Sequence, residues 1–130
     1  MSQENVDAVK RAVEAAVDRP EDFFGIFDED VVWVPGGFSP GGTIYGLDGV
    51  RERARSWVGA FENYGAEAVE CLDAGSSVYV QTRQRGRGKG SGVETEIDYW
   101  MVWLFFQGKV VRVTYFPTRA EALEAAGLSE

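Results

Sequence analysis

From Asn5 onward the apolar positions Val6, Val9, Val13, Ala16 and Val17 recur every three or four residues, while Asp7, Lys10, Arg11, Glu14 and Asp18 take the other face. That spacing predicts an amphipathic helix that stops near Arg19-Pro20. Pro20 suits the first turn of a second, short helix carrying Phe23, Phe24, Ile26 and Phe27 and ending in Asp28-Glu29-Asp30. Val31 to Val34 is β-branched and aromatic, a short strand closed by Pro35-Gly36-Gly37. The loop from Gly36 to Gly46 is glycine-rich and holds at most a short strand at Thr43-Ile44-Tyr45. Asp48 can cap a third helix, with Val50, Ala54, Trp57, Val58 and Phe61 as its apolar face and Arg51, Arg53 and Arg55 mostly outside it.

After Gly65 the period falls to two, and the chain reads as strands over Ala66 to Asp73, Ser77 to Arg85, Val93 to Phe106 and Lys109 to Phe116. Turn residues at Ala74-Gly75, Gly86 to Gly92 and Gln107-Gly108 join them into a meander of hairpins. Thr118-Arg119-Ala120-Glu121 is a capping box for a last helix, with Gly127 past its end. Helices followed by a long antiparallel meander predict an α+β domain with helices on one face of a curved sheet. No repeat or linker interrupts residues 1–130, so a single domain is expected.

Hairpin arithmetic assigns the sheet faces. Pairing Arg85 with Glu94 also pairs Arg83 with Glu96 and Gln81 with Asp98, placing opposite charges together on one face. The other face then holds Val78, Val80, Thr82 and Gln84 with Thr95, Ile97, Tyr99 and Met101. In the next hairpin Phe105 faces Val110, Trp103 faces Arg112, Met101 faces Thr114 and Tyr99 faces Phe116. This second face is expected to be concave, and Trp100, Val102, Leu104, Val111, Val113 and Tyr115 then form an outer apolar stripe suited to a homodimer interface. A single bulge in the Val93 to Phe106 strand would swap the faces beyond it and turn Asp98 or Glu96 inward.

Composition narrows the chemistry. The chain has 130 residues, 45% hydrophobic and 13% aromatic, which is enough for a folded core. Its net charge of −8 opposes binding to nucleic acid or to anionic lipid surfaces. Histidine is absent, which removes imidazole bases and the commonest zinc ligand. The one cysteine, Cys71, has no partner for an intrachain disulfide and reads as a small buried hydrophobe. The polar N-terminus has no apolar core of a signal peptide, and no apolar run is long enough to span a bilayer, so a cytoplasmic protein is expected. No dinucleotide fingerprint, phosphate loop or metal-ligand spacing implies a cofactor or metal.

Several phrases taken in order carry a family resemblance. They are Asp30-Val31-Val32-Trp33, the run from Gly42 to Val50, the run from Gly86 to Gly92, Gly108-Lys109-Val110-Val111, and the run from Glu121 to Leu128. Together they resemble the SnoaL-like polyketide cyclase branch of the superfamily that includes nuclear transport factor two and ketosteroid isomerase. The resemblance implies a cone-shaped curved antiparallel sheet, three N-terminal helices on its concave face, a short C-terminal helix, and dimerisation through the convex face. It also locates the polar positions of the isomerase: a base just before the proline that closes the first strand, a Tyr in the middle of the first helix, and a second acid two residues before the aromatic of Val102-Trp103-Leu104-Phe105. This chain has Val34, Ala12 or Val13, and Met101 there, so the isomerase machinery does not carry over.

Two function classes follow. In the first, Trp33, Trp57, Phe61, Tyr99, Met101 and Trp103 wall an apolar pocket for a small hydrophobic or amphipathic molecule, with Thr114 on the same face and Arg112 as polar anchor. The same aromatics could instead fill a core. In the second, an isomerase, cyclase or epoxide hydrolase uses Asp98 as general base, with Arg112 or Tyr45 stabilising negative charge. The carboxylates Glu94, Glu96 and Asp98 opposite three arginines read otherwise as a solvated ion-pair ladder.

Overall fold

The computed structural model describes residues 2–38 and 41–129. Helix α1 spans Ser2–Ala15 and α2 spans Pro20–Phe24; β1 is Phe27–Val34 and β2 is Ile44–Tyr45. Helix α3 is Leu47–Gly59, followed by β3 Phe61–Ala74, β4 Ser77–Gly88, β5 Glu94–Phe106, β6 Lys109–Phe116 and α4 Arg119–Ala125. The six strands form one curved, open sheet in the order β2-β1-β6-β5-β4-β3. It is antiparallel throughout except where β1 lies parallel to β6, a pairing reached through the long excursion over α3 and the meander.

The expected element order holds, with shifts at the boundaries. Residues Phe27 to Asp30, read as the end of the second helix, begin β1 instead; the buried Phe27 and Val31 anchor that strand to the core. Phe61, read as helical, opens β3 and packs over Gly86, where even a Cβ would meet it at 2.8 Å. Asp48 lies inside the first turn of α3, and Gly46, at a positive φ, takes the capping position. Ser39 and Pro40, part of the expected loop from Gly36 to Gly46, lie outside the described residues.

The β5–β6 turn and the caps of α4 behave as expected. Gln107 and Gly108 both adopt positive φ, as a two-residue hairpin turn of the primed type requires. The Thr118 hydroxyl accepts from the Glu121 backbone N–H at 3.2 Å, and Leu128 N–H returns to Leu123 O around Gly127.

The core lies between α1, α2, α3 and the inner face of the sheet. Val6, Val9 and Val13 of α1 pack with Val78, Val80, Met101, Trp103, Val110 and Val113. On the outer face, Ala122 and Leu123 of α4 pack with Tyr79, Leu72, Trp100 and Phe116. Part of the expected outer stripe is therefore covered by the chain's own last helix, while Leu104 and Phe106 remain exposed.

Two registers differ from expectation. The β4–β5 register is shifted by two residues from the expected one, pairing Arg83 with Asp98, Arg85 with Glu96 and Arg87 with Glu94. A shift of two leaves the faces unchanged. The β5–β6 pair carries a bulge: Phe105 faces Val110, but Leu104 faces Arg112, Trp103 faces Val113 and Met101 faces Tyr115. Val111 is the extra residue, and every β6 side chain beyond it changes face.

Candidate functional site

A cavity of about 880 Å³ opens between the helices and the inner sheet face. Its size falls within the range of small-molecule sites, roughly 300 to 1,000 Å³. The apolar face of α3 supplies Val50, Ala54, Trp57 and Val58, and α1 and α2 supply Val13, Phe23 and Phe24. From the sheet come Trp33, Tyr64, Ala66, Thr82, Gln84, Tyr99, Met101, Trp103 and Tyr115. The aromatic rings interlock: Trp33 lies 6.5 Å from Trp103 and 6.2 Å from Tyr115, and Tyr99 meets Tyr115 edge-on at 5.2 Å. Such tilted contacts fix the wall geometry beyond simple area burial.

Of the residues expected at a site, Trp33, Trp57, Tyr99, Met101 and Trp103 come together here. Phe61 stands behind the wall, its ring 4.9 Å from that of Trp57. Arg112 and Thr114 are corrected to the outer face by the β6 bulge, where they border a second, shallower hollow with Val102 and Leu104. Tyr45 is 76% exposed on the edge strand and does not line the cavity. Asp98 also faces outward: Arg83 Nε donates to its Oδ1 at 2.8 Å and Nη2 to its Oδ2 at 2.9 Å, with Gln81 Nε2 at 3.1 Å. The bulge that would turn Asp98 inward lies in β6 instead of β5, so Asp98 is not placed to act as a base in the cavity.

The polar part of the wall went unassigned from sequence. Trp57 Nε1 donates to Gln84 Oε1 at 2.8 Å, and the Tyr64 hydroxyl donates to the same oxygen at 2.5 Å. An indole nitrogen can only donate, so it must meet the carboxamide oxygen, and this orients the Gln84 amide. Its Nε2 is left with two N–H donors and no partner among the described residues. Thr82 and Trp103 are buried residues of the same lining, and Thr82 Oγ1 and Trp103 Nε1 have no hydrogen-bond partner among the described residues. Gln84 and Thr82 share the predicted inner face of β4. Tyr64 falls between the expected third helix and the strands that begin after Gly65, where no element is expected, and Tyr115 is expected on the other side of the sheet.

Burial pushes the Tyr64 hydroxyl up to about 12, against an opposing hydrogen bond from Trp57. It raises Tyr115 further, opposed by a hydrogen bond from Trp33, and it raises Tyr99 as well. All three stay neutral near pH 7, so they can donate hydrogen bonds and not abstract protons. Among the described residues, the one carboxylate in the lining is Glu21 at the rim. A 2.7 Å hydrogen bond from Arg51 Nη1 holds its carboxyl below the usual range. Three arginines, Arg51, Arg53 and Arg55, stand along the same rim. The arrangement can enclose an apolar body, donate hydrogen bonds to an acceptor on it, and meet solvent through a basic edge.

No group of three or more His, Cys, Asp or Glu residues able to hold a metal ion occurs among the described residues. No helix among them is long and apolar enough to cross a membrane.

Comparisons with known proteins place this geometry in context. The protein is similar in structure to a protein from Jannaschia sp. CCS1 assigned as a SnoaL-like polyketide cyclase, at 18% identity and a TM-score of 0.77, covering 96% of this chain and 92% of that one. An NTF2-like protein of unknown function from Burkholderia pseudomallei K96243 is 25% identical with a TM-score of 0.75, covering 92% of this chain and 95% of that one. TerC, co-crystallised with polyporic acid, is 20% identical with a TM-score of 0.73, over 95% of this chain and 98% of that one. No curated protein matches the sequence. The model of the SnoaL-like domain matches residues 7–113, most of the chain, so the protein belongs to the SnoaL-like domain family.

Proposed function

We propose that the protein binds a small hydrophobic or amphipathic molecule in the cavity between α1–α3 and the sheet. The observation that carries this reading is the Gln84 amide, oriented by Trp57 and Tyr64 so that two donors stay unpaired in an otherwise aromatic wall. Gln84 is half-buried and lines the cavity, so its amide donors stay accessible to an acceptor on a bound molecule. A ligand carbonyl or hydroxyl supplies the missing acceptor. The co-crystallisation of TerC with polyporic acid gives a precedent on the same fold.

A second copy of the chain belongs to the same reading. Val102, Leu104 and Phe106 alternate along the outer face of β5, and Phe106 is 62% exposed, so this apolar strip is proposed as the dimer contact. Native mass spectrometry of freshly purified protein tests both parts, first as isolated and then with the neutral dye N-phenyl-1-naphthylamine. The expected result is a dimer that takes up one dye per chain. A protein that takes up no dye contradicts the pocket, and a persistent monomer contradicts the interface.

A further inference from the structure

We infer that Asn63 is a specificity-determining residue of the cavity: the bulge it makes in β3 brings Tyr64 and Phe61 to the inner side and turns the Glu62 carboxylate outward, which favours a neutral carbonyl compound over an amine. This rests on the pocket reading above and names the feature of the occupant that the wall reads.

From Gly65 to Ala68 the β3–β4 pairing runs without interruption: Gly65 faces Arg85, Ala66 faces Gln84 and Ala68 faces Thr82. Before it, Glu62 faces Arg87 and Phe61 faces Gly88. Asn63 and Tyr64 therefore stand against the single residue Gly86, and β3 carries one extra residue at this point. Asn63 adopts a φ of +54°, and the other non-glycine residue at positive φ among the described residues, Gln107, belongs to a tight hairpin turn. Inside a strand such a conformation suits asparagine and disfavours β-branched side chains.

The extra residue decides which side chains face inward. Tyr64 and Ala66, two residues apart, both line the cavity. Continued alternation would bring Glu62 inward next. Instead Glu62 is exposed, opposite Arg87 of the outer charge ladder, and Phe61 takes the inward place. There it lies over Gly86, whose missing Cβ leaves the room, with its ring 4.9 Å from that of Trp57 and 6.1 Å from that of Tyr64. Phe61 is thus braced between the two side chains whose donors converge on Gln84 Oε1. Among the described residues the one carboxylate of the lining, Glu21, is already held by Arg51. The Gln84 amide donors therefore meet no anion of the protein, and a ligand carbonyl is the acceptor they suit. A Glu62 carboxylate on the inner face would compete for those donors and attract a cation.

Three probes separate this inference from the pocket itself. 6-Propionyl-2-(dimethylamino)naphthalene is a neutral ketone, N-phenyl-1-naphthylamine has no carbonyl, and 1-naphthylmethylamine is a cation at neutral pH. Binding of the first two is followed by fluorescence, and that of the amine by displacement of N-phenyl-1-naphthylamine. The proteins are the wild type, Asn63→Gly, Asn63→Val and a chain lacking Asn63, with urea unfolding to verify that each is folded. In Asn63→Val the affinity for the ketone is expected to fall about fivefold relative to that for N-phenyl-1-naphthylamine, because the hydrogen bond to its carbonyl is lost. The emission of the bound ketone should move to shorter wavelength for the same reason. The deletion is expected to show the same loss together with a gain of about fivefold or more for the amine, as Glu62 takes the inward place. Asn63→Gly keeps the positive φ and should match the wild type. Parallel losses for the ketone and N-phenyl-1-naphthylamine in the folded variants, or unchanged binding of both, would show that the bulge only shapes the sheet edge and would overturn the inference. A loss in Asn63→Gly equal to that in Asn63→Val would overturn it too, by assigning the effect to the asparagine side chain. A wild type that binds N-phenyl-1-naphthylamine but not the ketone would contradict the inference and leave the pocket standing, whereas failure to bind either would overturn both.

Discussion

Trp57 on α3 and Gln84 on β4 are joined by a 2.8 Å hydrogen bond that ties a helix to the sheet and fixes which end of the amide faces which way. Tyr64 closes on the same oxygen from β3. Three elements thus share one acceptor. Gln84→Leu keeps the volume but leaves the indole N–H and the phenol without it, and the expected cost is about 1–3 kcal/mol by urea unfolding at neutral pH. An unchanged midpoint would mean the network is dispensable to the fold.

The outer ladder predicts a pH dependence. Arg83 hydrogen-bonds Asp98 and holds its carboxyl below the usual range, with Arg83's charge and Gln81 acting in the same direction. A carboxyl whose folded value lies below its unfolded value, about 3.9, stabilises the fold above that pH and loses the contribution as pH falls through the folded value. Asp98→Asn is therefore expected to lower the urea midpoint at pH 7, and its deficit to shrink as both proteins are taken well below pH 4. Uptake of the neutral dye should be unaffected, because Asp98 lies outside the cavity. A large loss of uptake in this variant would revive Asp98 as a pocket residue.

Arg112 supplies a test of the β6 bulge. It faces Leu104 on the exposed side, while Trp103 faces Val113. Arg112→Ala is expected to change stability by no more than about 0.5 kcal/mol and to leave the affinity for N-phenyl-1-naphthylamine as it was. Tyr115→Phe, by contrast, alters the cavity wall and is expected to change dye affinity. The reverse pattern would require the register to run straight through Val111.

Cys71 offers a chemical readout of packing. Burial pushes its thiol up to about 11, with the charges of Glu70 and Glu14 adding to this and that of Lys10 opposing it. Reaction with a disulfide reagent at pH 8 is expected to be at least about tenfold slower in the native protein than in denaturant. Equal rates would show that β3 opens readily at this point.

Much of this fold was legible in the alternation of side chains. Tyr99, Met101 and Trp103 share an inner face because each is two residues from the next, and a two-residue error at the Arg87 to Glu94 hairpin left that face unchanged. Odd-numbered slips are different. One added residue, Val111, sends Arg112 and Thr114 outward and Tyr115 inward, and nothing in Lys109-Val110-Val111-Arg112-Val113 distinguishes a bulge from a continuous strand. The apolar run Val110-Val111 reads equally well on either face. Gln84 was on the correct face by alternation. Its importance comes from Trp57 and Tyr64, which are distant in sequence and become neighbours only when α3 folds over the sheet.

The space beneath α3 is proposed to receive a molecule. Ala54, on the cavity face of α3, is the place to test it, because Ala54→Phe fills that space from a position on a regular helix. Titration of N-phenyl-1-naphthylamine into wild type and Ala54→Phe, with urea unfolding to verify that the variant is folded, gives the direct comparison. One saturable site per chain is expected in the wild type, with a loss of at least about tenfold in affinity in the folded variant. Undiminished binding in a folded Ala54→Phe protein would place the dye elsewhere and rule out the cavity as its site.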